Sequence, residues 1–75
     1  MLMKVLRSFD LSPDGVKIVV EWGEMHVGTS IFVPCIDTEE AKKQLKHIFK
    51  QKNWQYFVQV SIENKRLGVR IWRTL

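Results

Sequence analysis

Two aliphatic triplets at alternate positions, Val58, Val60, Ile62 and Leu67, Val69, Ile71, flank Asn64-Lys65 near the C-terminal end of the sequence. No other feature restricts the fold as strongly. A side-chain period of two belongs to a strand, and a one-residue slip sends every side chain to the opposite face. A two-residue turn at Asn64-Lys65, where Asn64 tolerates positive φ, sets Ile62 against Leu67, Val60 against Val69 and Val58 against Ile71. All six then share one apolar face, as a buried side requires. The other face pairs Ser61 with Gly68, Gln59 with Arg70 and Phe57 with Trp72, with Arg66 beside the turn. Gly68 leaves room there for another backbone to approach closely. Arg73 falls on the apolar side at the sheet's end, opposite Tyr56.

A helix precedes this hairpin. Asp37 is placed to cap it, with Glu40 three residues on, which predicts a capping box, and Ile36 and Ala41 occupy staple positions. Ala41, Leu45, Ile48 and Phe49 form one apolar stripe. The rest of the segment is polar and rich in cations: Lys42, Lys43, Lys46, His47, Lys50 and Lys52. Acidic residues in the first turn and basic ones in the last suit the helix dipole.

The N-terminal part reads as strands. Val5 to Phe9 can be extended, and Ser12-Pro13-Asp14-Gly15 is a turn signal. Val16, Ile18, Val20 and Trp22 alternate with Lys17, Val19 and Glu21; after a second turn at Gly23 to His26, Val27, Thr29, Ile31 and Val33 form one face of a third strand that Pro34 ends. The predicted architecture is α+β: a five-stranded antiparallel sheet (βββαββ) with one helix packed on a face. Residues 1–75 make a single domain, with 1–24 as an N-terminal hairpin.

Seventy-five residues sit near the lower size at which a core sustains itself. The single cysteine excludes an internal disulfide, and with only two histidines there is no four-ligand zinc pattern. Lys4, Arg7 and Asp10 interrupt the apolar N-terminus, no small-residue cleavage site follows, and no apolar run approaches a membrane span. A reducing, cytoplasmic setting is expected.

Charge is distributed unevenly. Residues 1–40 carry three basic and seven acidic groups, and residues 41–75 carry nine basic groups against Glu63 alone. An acidic partner for the second half, nucleic acid above all, is one explanation; mutual attraction of the two halves is the other. The catalytic signals are weak. The four glycines are scattered, so there is no phosphate-cradling loop, and Glu39 and Glu40 are explained by capping. Cys35 precedes a helix cap, where a thiolate gains stabilisation, yet its apolar neighbours suit a buried thiol. No enzyme activity and no cofactor or metal is expected.

Binding is the better-supported class. Phe57, Gln59, Arg70 and Trp72 have the composition of a platform on which bases stack while arginine neutralises phosphate. Lys42, Lys43, Lys46 and Lys50 can position further phosphates, and Arg66 and Arg73 extend the strand surface. The competing explanations are that another layer covers the aromatics and that the lysines are a solvated helix face.

Two stretches, Met25-His26-Val27-Gly28-Thr29-Ser30-Ile31-Phe32-Val33-Pro34 and Gly68-Val69-Arg70-Ile71-Trp72-Arg73, resemble the V-G-x-S-x-F-V-P and G-x-R-x-W-R motifs of a family of small, uncharacterised bacteriophage proteins. Residues 25–75 form the family-like core. Thr29 departs from the aspartate usual in that family, and the apolar run Trp54 to Val58 departs as well. The resemblance implies an accessory protein made in the cytoplasm of an infected bacterial host cell. Such a protein binds nucleic acid or acts as an inhibitor or adaptor on a host protein, RNA polymerase or a CRISPR-type defence effector being examples. A homodimer across the Phe57–Trp72 face is a third possibility.

Overall fold

In the computed structural model, which describes residues 10–75, three strands and one long helix follow a short 3-10 turn at Trp22–Glu24. The strands are β1 (Ser30–Pro34), β2 (Tyr56–Glu63) and β3 (Arg66–Arg73); the helix, α1 (Thr38–Lys52), lies between β1 and β2 in the chain. The class is α+β, but the five-stranded βββαββ sheet is corrected to a three-stranded antiparallel sheet of order β1-β3-β2.

The hairpin has the register its alternation dictates. Ile62 faces Leu67, Val60 faces Val69, Val58 faces Ile71, Gln59 faces Arg70 and Phe57 faces Trp72. Asn64 at φ 51° and Lys65 at φ 64° make the left-handed pair that a tight two-residue turn requires. The third strand arrives from the far side: Ile31 pairs with Ile71, Phe32 with Arg70 and Val33 with Val69. Since β1 and β2 are both antiparallel to β3, they run in the same direction on either side of it. Parallel strands need a crossover, and α1 supplies it. A helix about 10 Å across covers two strand spacings of about 4.8 Å, which leaves room for one strand between. β3 takes that place.

The N-terminal meander is where expectation and structure part. Val5 to Phe9 lies outside the described residues. Among the described residues, the segment expected as a second strand makes only an isolated bridge between Leu11 and Ile18, closed by hydrogen bonds of 3.1 and 2.6 Å. Val16 and Val19 face solvent, and the third strand starts only at Ser30. The Ser12–Gly15 turn does form, with the Gly15 N–H donating to the Ser12 carbonyl at 3.1 Å.

Helix α1 starts and stops by recognisable chemistry. The Asp37 carboxylate accepts from the Glu40 N–H at 3.0 Å, and Asn53 ends the helix at φ 59°. The expected capping box is only half made. Asp14, reaching from the N-terminal turn, accepts from both the Ile36 and Asp37 N–H groups at 2.8 Å, while Glu40 accepts from Gln44. Ile36 is exposed, so the staple does not form. Ala41, Leu45, Ile48 and Phe49 are buried as the stripe predicts, against Val69 and Ile71 of β3 and Leu11, Trp22, Met25, Val33 and Cys35. Phe49 is the centre: Trp22, Trp54 and Tyr56 surround it at ring-centroid distances of 5.4, 5.7 and 4.6 Å. Burial is uneven along the hairpin. Val60, Ile62 and Leu67 share the apolar face but lie toward the turn, and all three are exposed.

Candidate ligand-binding surfaces

The sheet separates the sequence-predicted site residues into two groups. Alternation sends Phe57, Gln59, Ser61 and Glu63 of β2, Arg66, Gly68, Arg70 and Trp72 of β3, and Ser30, Phe32 and Pro34 of β1 to the face away from α1. The lysines project from the side of α1 opposite its apolar stripe. The two groups therefore look out from opposite sides of the molecule and do not make one continuous surface.

On the sheet face, Phe57 and Trp72 meet with ring centroids 5.5 Å apart. Phe57 is 56% exposed and Trp72 half-buried, so this face is open. Gly68 does not leave a vacancy for a ligand. Its open side is occupied by the Phe32 ring and by the β1 backbone at Val33 and Pro34.

Arg70 is tied down on this face. Its Nε and Nη2 donate to the two Glu63 carboxylate oxygens, both at 2.7 Å, Nη1 donates to Ser30 Oγ at 2.8 Å, and the guanidinium lies 5.8 Å from the Phe32 ring centre. Ser61 Oγ donates to the same carboxylate at 3.1 Å. Glu63 and Arg70 are not cross-strand partners; they reach toward each other along one face, past the Ser61–Gly68 pair. Hydrogen bonding from Arg70 holds the Glu63 carboxyl below its usual range, and the same contact raises Arg70. Any phosphate at Arg70 must displace an internal, bidentate carboxylate. Sequence inspection missed Glu63, Ser30 and Phe32. The shared parity of Glu63 and Arg70 is the signal that finds the pair.

The sign of its pH dependence follows. A carboxyl with a lowered folded-state pKa adds stability above its unfolded value, about 4.3, and the contribution disappears as pH falls through the folded value. Comparing wild type with Glu63→Gln by urea denaturation should show a stability gap at neutral pH that closes below about pH 4. A gap independent of pH contradicts the role given to this carboxylate.

Arg73 belongs to the core side. Its guanidinium stacks 3.6 Å from the Trp54 ring centre and donates to the Met25 and Leu75 carbonyls at 2.9 and 3.1 Å. Arg66 is exposed at the turn end, beside a depression shared with Asp14, Pro34, Cys35, Ile36 and Leu67. Burial pushes the Cys35 thiol up, and Asp14 and Asp37 push it further, which disfavours a thiolate.

The helix carries the other group. Lys42 is paired with Glu39 at 3.4 Å. Lys43, Lys46 and Lys50 are exposed and line a shallow depression together with His47, whose Nε2 is 3.0 Å from Gln51 Nε2. Among the described residues, neither ion pair involves Lys43, Lys46 or Lys50. No cluster of three or more potential metal ligands occurs among the described residues, and none of their helices is long and apolar enough to cross a membrane.

Compared with protein families, curated proteins and solved structures, the chain matches none of them.

Proposed function

We propose that the protein is a non-enzymatic binding module that contacts nucleic acid through the basic side of α1. The observation that carries this reading is the set Lys43, Lys46 and Lys50, exposed around His47 along one side of the helix, with no carboxylate partner among the described residues. Lys42 contributes at the margin, shared with Glu39. Arg70 and Arg73 are held by internal contacts, so these two add little to phosphate binding, and Arg66, exposed at the turn end, lies on the face away from α1. The motif resemblance to phage proteins fits an accessory role in a host cell.

The expected result is saturable binding of labelled oligonucleotides, single-stranded or duplex, at low ionic strength, weakening steeply as salt displaces the released counterions. Absence of binding to either form rejects the reading.

A second reading has its own observation. Phe57 is 56% exposed beside Trp72, on a face where Glu63 neutralises Arg70. An aromatic pair beside a neutralised arginine, with Arg66 at the turn end as the exposed cation of this face, suits a protein partner better than a polyanion, since aromatic rings act as interface hot spots. On this reading the protein is an inhibitor or adaptor of a host protein. A partner retained from bacterial lysate after nuclease treatment, and lost with Phe57→Ala, supports it. Light scattering separates it from a homodimer formed across the same face.

A further inference from the structure

We infer that the ligand of the α1 lysines is a nucleic-acid duplex, held by its phosphates without readout of base sequence. The inference rests on the nucleic-acid reading above and narrows its ligand.

Charge density is the first argument. Lys43 and Lys50 are seven residues apart, a rise of about 10.5 Å along the helix axis. A nucleic acid that crosses the helix meets it over a similar length, the helix width of about 10–12 Å, in which a duplex presents about six phosphate charges and a single strand, at about 3.4 Å per charge, about three. The same three lysines thus meet twice the charge on a duplex.

The second argument is the location of the rings. Single-strand binders add an aromatic platform to a cationic track, because stacking supplies much of their affinity. Here Trp22, Phe49, Trp54 and Tyr56 form a cluster beneath the helix, and Phe32, Phe57 and Trp72 lie on the far face of the sheet. Among the described residues, the ring amid Lys43, Lys46 and Lys50 is the His47 imidazole, already engaged by Gln51, and Trp54 beyond the helix end is occupied by Arg73 and by Lys52, 3.6 and 4.9 Å from its ring centre. A single strand on these lysines gains charge neutralisation without stacking.

Polarity along the helix is the third. Asp37, Glu39 and Glu40 occupy its N-terminal end, with Asp14 bound to the cap. A polyanion laid along the whole helix meets repulsion over the first turn. Contact is therefore confined to Lys43–Lys50, and the duplex crosses the helix axis. A crossing helix touches phosphate ridges and does not lodge in a groove, where base edges are read.

Anisotropy titrations with a labelled DNA duplex, its single strand and a scrambled duplex test this. The duplex should bind at least about fivefold more tightly than the strand and no differently from its scrambled version. Three neutralised phosphates predict a log–log salt slope of about −2.7, so that a fourfold rise in salt weakens binding about fortyfold. The triple variant Lys43→Glu, Lys46→Glu, Lys50→Glu should lose this binding. The corresponding triple glutamine variant, which adds no repulsion, should flatten the slope. Single strand bound as tightly as duplex overturns the inference and leaves the nucleic-acid reading in place. A preference for one duplex sequence, or unaltered duplex binding by the glutamine variant with helical circular dichroism intact, also overturns it. No binding to any form removes both.

Discussion

Phe49→Ala should leave the protein largely unfolded at modest temperature. Phe49 is fully buried, and three aromatic rings pack on it from Trp22, Trp54 and Tyr56. Truncating a buried phenylalanine costs about 3–5 kcal/mol through lost transfer energy and the residual cavity. A domain of this size has a total stability of only about 4–11 kcal/mol. The surrounding rings cannot collapse easily into the space, because each is anchored elsewhere: Trp54 under Arg73, Tyr56 at the start of β2, and Trp22 in its own turn. Thermal denaturation followed by circular dichroism should show a fall in midpoint on the order of 20 °C. A loss below about 1 kcal/mol contradicts the central place assigned to this ring. Phe49→Leu keeps most of the apolar volume and should be far milder, at about 1–2 kcal/mol.

The second large effect is expected from adding one methyl group, in Gly68→Ala. A Cβ at this position meets the Val33 carbonyl oxygen, the Phe32 Cζ at 2.7 Å and the Pro34 Cα at 2.8 Å. Two of those three atoms are backbone of β1, so no side-chain rotation relieves them. β1 must move away from β3, weakening the pairs from Ser30 to Pro34. Overpacking typically costs 1–3 kcal/mol, and a clash with fixed backbone belongs at or above the upper end, about 3 kcal/mol. Urea denaturation measures it. Adding Phe32→Ala to Gly68→Ala should restore little, because the backbone contacts persist. Full restoration by Phe32→Ala shows that the ring alone sets the constraint. Gly68 is thus a packing requirement of the sheet, and the backbone that approaches it closely is that of β1.

The two effects lie in parts of the chain that the sequence reveals to different degrees. Helix α1 and the β2–β3 hairpin are readable from residues alone because their determinants are local. Asp37 caps a helix whose apolar residues recur every turn, and Asn64-Lys65 closes a turn whose flanking alternation admits a single register. The N-terminal third is different. Alternation at Val16, Ile18 and Val20 says which side chains share a face, but a strand exists only when a partner supplies its hydrogen bonds. Among the described residues that segment has the Leu11–Ile18 bridge alone: β1 pairs with β3, from Pro34 against Gly68 to Ser30 against Trp72, and not with the segment before it. The basis is geometric, since the crossover through α1 places β1 and β2 on the two sides of β3.

Site residues divide along the same line. The helical spacing of Lys43, Lys46 and Lys50 by itself determines that they share a side, and the parity of Phe57, Arg70 and Trp72 determines that they share a face. Only the tertiary structure decides that the sheet stands between these two groups. It also decides that Arg70 is held by Glu63 and Ser30, and Arg73 by Trp54 and two carbonyls. Periodicity records direction within one element; which charges remain available to a ligand depends on the neighbours that packing brings within hydrogen-bonding distance.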